Sequence, residues 1–277
     1  MRHLLLAVAL FLGGINIGSA QILMLDFGPT TTPSAGKTLL PYTTGITGTS
    51  TFNTITTSSN VTSGLLFTDG TSATGLSLTY GGGLGTTATF PLSGSGLSIS
   101  TGLTGTALGT GIYANSSASK DGFFWNATGG AAQQTTLALS IGGLSAGTYQ
   151  VYMAGRNTNS SFGTGISEQF YSTITGTTPT SQNTTLLTGT IETNSTSASF
   201  IQGDNYVMLT ETITAGQFLN IYANGFTGAG VNEDRGFLNY IELVPVAAVP
   251  EPGSFILLAM GFVLLALFRK YSLSRQE

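Results

Sequence analysis

Short runs of alternating apolar and polar residues, separated by turn-forming residues, recur along most of the chain. The clearest runs are residues 76–80, 137–141, 149–153 and 207–213. A period of two places successive side chains on opposite faces, so each run predicts a strand with one buried face. Gly, Pro, Ser, Thr and Asn interrupt almost every window of ten residues before the C-terminus. Many short strands without intervening helices predict an all-β fold, an antiparallel β-sandwich.

One all-β domain accounts for the body of the chain, residues 21–246. Sandwiches of about 200–250 residues occur as single domains, and this length suffices to bury a core. A β-solenoid is one alternative, but no fixed repeat period supports it. Disorder is another alternative, and the 41% hydrophobic content opposes it. Residues 29–63 contain few large apolar side chains, which predicts long loops around one or two edge strands.

The N-terminus has the pattern of an export signal. A short basic region is followed by an apolar run at residues 4–12 and then by small residues. Gly18 and Ala20 supply small side chains at the −3 and −1 positions of a cleavage site after Ala20. The apolar run is shorter than a membrane span, which favours a cleavable signal over an anchor. We therefore assign residues 1–20 to a signal peptide and expect the body to be exported.

The C-terminus carries a second apolar segment with different flanks. Residues 247–254 form a Pro-rich linker, residues 255–268 are apolar on every side, and residues 269–277 form a basic tail. The linker prolines lack amide hydrogens, so the last strand cannot continue through them. A helix over the 14 apolar residues is about 21 Å long, and flanking residues can extend it towards the ~30 Å hydrocarbon core. The pattern predicts one transmembrane helix in the inner membrane with its basic end in the cytoplasm.

This C-terminus resembles the PEP-CTERM protein-sorting signal of Gram-negative bacteria. The shared features are a Pro-Glu-Pro motif, an apolar helix and a basic end, in the family's order. In that family an integral-membrane exosortase acts on the tail, and members reach the cell surface, often alongside exopolysaccharide or biofilm matrix. The resemblance implies an exosortase partner and a protein that is membrane-anchored before processing and afterwards at the cell surface or extracellular. The residues it assigns to sorting are Pro250, Glu251 and Pro252 in the motif and Arg269, Lys270 and Arg275 in the basic end.

The composition excludes several chemistries for the exported body. The chain has no Cys, and its one His, at position 3, lies in the predicted signal peptide. Without imidazole or thiol there is no Ser-His-Asp or Cys-His catalysis, no His- or Cys-ligated metal and no disulfide framework. Ten acidic and four basic residues lie between Gln21 and Val249, so nucleic acid is not an expected partner.

Two segments of the body have residue types that suit carbohydrate. Trp125 is the only Trp, and an exposed indole can stack on a sugar ring, although a Trp also suits a core. Arg156, Asn157 and Asn159 follow a predicted core strand, and their fixed donors suit sugar hydroxyls or carboxylates. A polar hairpin loop with a solvated Arg is the alternative explanation of these three residues.

Acidic residues offer two further chemistries. Glu233 and Asp234 precede the last predicted strand and could hold a structural Ca²⁺, or they could pair with Arg235. No spaced Asp-x-Asp-x-Asp loop supports the metal site, and we otherwise expect no cofactor. A pair of carboxylates could also serve a glycosidase. The glutamates considered for such a pair are Glu168, Glu192, Glu211 and Glu242.

Three segments resemble pieces of jelly-roll, galactose-binding-like carbohydrate-binding domains. They are residues 26–28, residues 144–152 with a Leu-x-x-Gly-x-Tyr entry, and residues 236–243 with a Leu-Asn-x-Ile-x-Leu strand. The resemblance implies a jelly-roll-like sandwich whose last strand returns beside the first. Taken together, the sequence predicts a non-catalytic, exported surface or matrix protein associated with exopolysaccharide. A carbohydrate-binding module is the alternative, followed by a carboxylate-dependent glycoside hydrolase or lyase.

Overall fold

A computed structural model describes part of the chain, and the predicted signal peptide, linker and basic tail lie outside that part. The chain divides into two compact units, Met1–Val246 and Ala247–Glu277. In the second unit only Gly261 and Leu265 are described, and both are helical. Within the described residues, no helix has the length and apolar character that crossing a membrane requires. The described residues are 21–28, 53–56, 59–92, 97–100, 122–125, 134–155, 167–183, 189–192, 197, 199–225, 235–246, 261 and 265.

The described residues of the first unit form strands in three sheets. In chain order the strands are β1 (Leu23–Phe27), β2 (Asn53–Ile55), β3 (Ser77–Leu84), β4 (Thr87–Thr89), β5 (Leu97–Ser100), β6 (Gly122–Trp125), β7 (Thr135–Gly142), β8 (Gly147–Ala154), β9 (Ser167–Thr175), β10 (Ser181–Asn183), β11 (Gly189–Glu192), β12 (Val207–Ile213), β13 (Phe218–Gly225), β14 (Phe237–Leu238) and β15 (Tyr240–Val246). The sheet orders are β12-β8-β15-β1-β2, β10-β4-β3-β7-β13-β9-β11 and β14-β6-β5.

Both large sheets contribute side chains to one hydrophobic core. Leu25 and Ile241 from the five-stranded sheet and Leu139 and Ile221 from the seven-stranded sheet are at most 1% exposed and belong to the same cluster. Every pairing between the named strands is antiparallel except that of β1 with β2. The all-β, antiparallel and sandwich-like fold predicted from the alternating runs is therefore confirmed.

The first and last strands of the body lie side by side. β1 pairs with β15, with Leu25 opposite Ile241. β2 pairs with the other side of β1 and ends the five-stranded sheet. This position agrees with the edge strand predicted within residues 29–63. The first and last strands of the body therefore pair in the interior of the five-stranded sheet, and the second compact unit begins directly after Val246.

The structure corrects one predicted strand. Alternation over residues 237–244 predicts a continuous strand, but the chain changes sheets at Asn239. Phe237 pairs with Phe124 in the small sheet, whereas β15 pairs with β1 and β8. The backbone of Asn239 forms hydrogen bonds with two strands of the five-stranded sheet. Its carbonyl accepts a bond from Phe27 N of β1 at 2.8 Å, and its amide donates to Ala154 O of β8 at 2.9 Å. The local pattern cannot indicate this change, since both halves keep a period of two.

Candidate functional site

Trp125, the aromatic residue singled out by the sequence, ends β6 and packs partly buried against the core. Gly82 of β3 makes room for the indole, because a Cβ at that position would overlap Trp125 Cδ1. The indole Nε1 is buried and has no hydrogen-bond partner. The ring therefore contributes apolar area to the core, and its stacking on a sugar stays a prediction.

Apart from the glutamates, the other predicted site residues lie outside the part of the chain that the structure describes. Arg235, the suggested ion-pair partner, is described, and its guanidinium carbon lies 5.0 Å from the centroid of the Phe124 ring, a cation–π distance. Among the described residues, no three His, Cys, Asp or Glu side chains gather closely enough to hold a metal ion. The predicted residues outside the described part are Arg156, Asn157, Asn159, Glu233, Asp234, Pro250, Glu251, Pro252, Arg269, Lys270 and Arg275.

Two described residues, Gly155 and Phe237, adjoin two of these predicted segments and lie in contact with each other. Gly155 precedes the Arg156 segment, and Phe237 follows the segment with Glu233 and Asp234. A Cβ on Gly155 would overlap both Phe237 O and Glu168 Oε2. The sequence places these two segments about 75 residues apart along the chain, so only the tertiary fold brings their neighbouring residues together.

Glu168 of β9 is a buried carboxyl group at this junction. Its Oε1 accepts a hydrogen bond from Phe237 N, and its Oε2 is buried without a partner. Burial raises the pKa of Glu168 well above the usual value of 4.5, and the bond from Phe237 N opposes that rise. The side chain therefore keeps its proton to a higher pH than an exposed glutamate does. A buried carboxyl with a raised pKa suits a structural role here, because Glu168 is only 1% exposed.

The other glutamates considered for catalysis are separated from one another. Glu211 of β12 accepts a hydrogen bond from Ser172 Oγ of β9, while Glu242 is buried in β15. Glu192 is described only through its backbone, in β11. Glu168 and Glu192 do lie on the paired strands β9 and β11, but they are not opposite each other, because Glu168 is opposite Ile191 and Glu192 is opposite Ser167.

A carboxyl pair that the sequence did not single out does occur, between Asp26 and Glu242. Asp26 is opposite Tyr240 and Met24 is opposite Glu242, so the two acids are diagonal neighbours on one face of the five-stranded sheet. Diagonal positions of a sheet lie about 7–8 Å apart along the backbone, so carboxyl groups at such positions can reach the separation of about 6.5–9.5 Å that inverting glycosidases use. However, Asp26 is 1% exposed and Glu242 is 0% exposed. Hydrolysis requires water between the acids, and this burial leaves no approach for a substrate.

Three adjacent strands of the seven-stranded sheet, β7, β13 and β9, carry a second, uncharged face. Leu139 and Ile221 belong to the main core, whereas Ala138 and Tyr222 belong to a separate cluster with Phe90. Since successive side chains alternate between faces, this cluster marks the opposite side of the sheet, which we call the outer face. The pairing register arranges it in three cross-strand rows: Ser140, Asn220 and Thr173; Ala138, Tyr222 and Tyr171; Thr136, Asn224 and Gln169.

The middle row of the outer face is aromatic. The Tyr171 and Tyr222 ring centroids are 5.8 Å apart at an interplanar angle of 32°, and Phe90 meets Tyr222 edge-on at 6.1 Å. Burial, followed by the proximity of Tyr171, raises the pKa of Tyr222, which keeps its phenol protonated. Phe90 approaches closely because Gly81 beneath it has no side chain.

The two flanking rows hold buried polar atoms without partners. They are Ser140 Oγ, Asn220 Oδ1 and both side-chain polar atoms of Asn224. Asn220 is partly satisfied, because its Nδ2 donates to Thr175 Oγ1 at 2.9 Å. Unpaired buried polar groups are rare, since each costs about 1–3 kcal/mol. The sequence does contain a signal for this face, because Asn220, Tyr222 and Asn224 occupy every second position of β13 and so share one face. From this pattern alone, however, that face is predicted to be solvated.

Comparison with protein-family models finds the PEP-CTERM protein-sorting motif at residues 248–270. The matched segment contains the Pro-Glu-Pro motif together with Arg269 and Lys270, and it ends before Arg275. The resemblance noted in the sequence is thus confirmed. The motif implies an exported protein that is anchored in the membrane before an exosortase processes it. Comparison with curated proteins finds no match.

Proposed function

We propose that this chain is an exported, non-catalytic cell-surface or matrix protein whose C-terminal motif delivers it to an exosortase. The observation that carries the proposal is the position of the motif. The body ends with β15 at Val246, and the matched segment starts at residue 248. The sorting signal therefore adjoins the last strand of the body, where processing can release a folded sandwich to the surface or the extracellular matrix.

Asp26 and the described glutamate side chains support a non-catalytic role. Asp26, Glu168 and Glu242 are at most 1% exposed, and Glu211 bonds Ser172. A glycosidase needs two accessible acids on either side of a bound sugar. We also propose that the body functions without a resident cofactor, while a structural Ca²⁺ at Glu233 and Asp234 is the alternative that sequence chemistry allows.

Carbohydrate binding by a jelly-roll-like sandwich is the second candidate function. It is favoured by Tyr171, Thr173 and Gln169 on β9, the partly exposed members of the outer face, which combine an aromatic ring with a hydroxyl and an amide group. Sites for sugars combine ring surfaces with a few directed polar groups. This candidate is compatible with the first, because a matrix protein can also bind matrix polysaccharide.

Deletion of residues 247–277 tests the sorting role. In the native cell we expect the shortened chain to be exported but lost from the surface fraction, because it lacks both the exosortase motif and the apolar segment. Deletion of Gln276 and Glu277 is the matched control: it shortens the C-terminus but keeps the matched segment and Arg275, and we expect normal sorting. Immunoblots of surface, membrane and medium fractions measure the outcome. Surface retention of the 247–277 deletion at the level of the full chain would contradict the proposal.

A further inference from the structure

We propose that Glu168 is a pH-sensitive latch that holds strand ends from all three sheets together while its carboxyl is protonated and releases them when the carboxyl ionises. Glu168 is the second residue of β9 and is opposite Gly225, the last residue of β13. Gly155 directly follows β8 of the five-stranded sheet, and Phe237 begins β14 of the small sheet. The Glu168 carboxyl touches both of them, so it lies where the three sheets meet.

The carboxyl group lies against both backbone polar groups of Phe237. Its Oε1 accepts a hydrogen bond from Phe237 N. Its Oε2 lies close to Phe237 O, because a Cβ on Gly155 would overlap both of these oxygens. A protonated carboxyl has an acceptor oxygen and an O–H donor, so it can pair with the amide and the carbonyl of one residue, as residues of a hydrogen-bonded antiparallel pair do. Ionisation removes the donor and places a negative oxygen beside the carbonyl oxygen.

An ionised Glu168 has no counter-charge among the described residues. The side chain is 1% exposed, and its Oε2 has no hydrogen-bond partner. Arg235 lies over the Phe124 ring, and Glu192 is opposite Ser167 rather than Glu168. The described residues that face Glu168 carry no titratable side chain; they are Gly155, Gly225, Ile191 and Phe237. The charged residues that adjoin these positions along the chain and lie outside the described part are Arg156, Glu233 and Asp234. A charge on Glu168 is therefore stable only once water reaches it.

Strand ends provide the least costly route for that water, because they are held by few contacts. β14 has two residues, and among the described strands it pairs only with β6. We expect opening to break the bond from Phe237 N to Glu168 and the bond from Gly236 N to Thr135 O, while Leu238 stays in the core. Gly155 and Phe237 adjoin the Arg156 segment and the Glu233 segment, so the latch sets how closely the starting points of these two segments are held.

Hydrogen–deuterium exchange of the full-length chain in detergent tests the latch. The measured quantity is the exchange rate of a peptide containing Phe237, compared with that in Glu168→Gln at the same pH from pH 6 to pH 10, so that intrinsic exchange cancels. Glutamine offers one acceptor and one donor group at every pH, and it keeps the latch closed. We expect equal rates at pH 6. Above the folded-state pKa, the rate in the unchanged chain should exceed that in Glu168→Gln by about tenfold more for each pH unit.

Two further variants separate charge from shape. Glu168→Leu removes the acceptor for Phe237 N, so its exchange at this peptide should be faster than that of Glu168→Gln by a factor that does not change with pH. Glu211→Gln is the matched control, because Glu211 also accepts a bond from a neighbouring strand, from Ser172 Oγ, but is partly exposed. This variant should follow the unchanged chain throughout the pH series.

Three results would overturn the proposal. The first is equal exchange of the unchanged chain and Glu168→Gln at the Phe237 peptide from pH 6 to pH 10. The second is an increase at high pH that is spread evenly over the peptides of all strands, which would indicate global unfolding. The third is that added Ca²⁺ restores slow exchange at high pH in the unchanged chain only, which would make Glu168 a cation ligand. None of them bears on sorting, which the deletion of residues 247–277 tests in cells.

Discussion

At the scale of single residues, Glu168 couples the stability of the body to pH. The carboxyl is buried and its pKa is raised well above 4.5 by desolvation, although Phe237 N partly opposes the rise. In the unfolded chain it ionises near its usual pKa, whereas in the folded chain it keeps its proton. The unfolded state therefore binds fewer protons above pH 4.5, and the folded state loses stability as pH rises towards the folded-state pKa.

Glu168→Gln should remove this dependence. Between pH 4.5 and the folded-state pKa, the variant should gain stability relative to the unchanged chain by up to about 1.4 kcal/mol per pH unit. Urea unfolding of both proteins at pH 4.5 and pH 8 measures the difference. Asp69→Asn is a control of opposite sign, because hydrogen bonds from Thr71 lower the pKa of Asp69. The stabilisation that the Asp69 carboxylate provides is fully present above its usual pKa of 3.8 and is lost as pH falls below that value, so this control is measured at pH 4.5 and about pH 3. An unchanged Glu168→Gln difference at the two pH values would contradict the burial argument.

At the scale of elements, the sequence predicts those strands whose two faces differ. Leu137, Leu139 and Ile141 are predicted to share a face, and all three are buried in the core. The intervening Thr136 and Ser140 are also at most 1% exposed. Alternation cannot predict this burial, because a period of two shows that the two faces of a strand differ but does not show what covers either face. The division at Asn239 escapes prediction for a related reason, since it depends on backbone partners in β1 and β8.

Two turn glycines with similar backbone conformations test how far an element tolerates a side chain. Gly143 and Gly203 have φ values of +80° and +82°. A Cβ on Gly203 would meet nothing within 4 Å, whereas one on Gly143 would overlap Gly75 O. We expect Gly203→Ala to cost about 1–2 kcal/mol from the left-handed conformation alone. Gly143→Ala should cost about 1–3 kcal/mol more, because the backbone of Gly75 must move. Denaturant unfolding measures both, and equal losses would show that the β7–β8 turn shifts freely.

At the scale of the whole molecule, the sorting motif that the sequence alone reveals lies near the C-terminus. The outer face, which only the fold reveals, lies in the body. The Pro-Glu-Pro motif can be found from the sequence because sorting signals are read as linear order. The outer face cannot be found that way, because Asn224 and Gln169 are 55 residues apart and meet only through the pairing of β13 with β9. Trp125 illustrates the same limit, since only the packing over Gly82 shows that its ring lies against the core.

Processing at both ends gives a mass that can be measured on the native protein. Residues 255–268 are apolar on every side, so a form released into water must lose them. Pro250 and Pro252 lack the amide hydrogens that sheet pairing uses. We expect the surface form to begin at Gln21 and to end before residue 255, as measured by intact-mass spectrometry. In cells without the exosortase, the form should keep its apolar segment and fractionate with the membrane. A surface form that retains residues 255–268 would contradict release by cleavage, since those side chains would then have to remain in lipid.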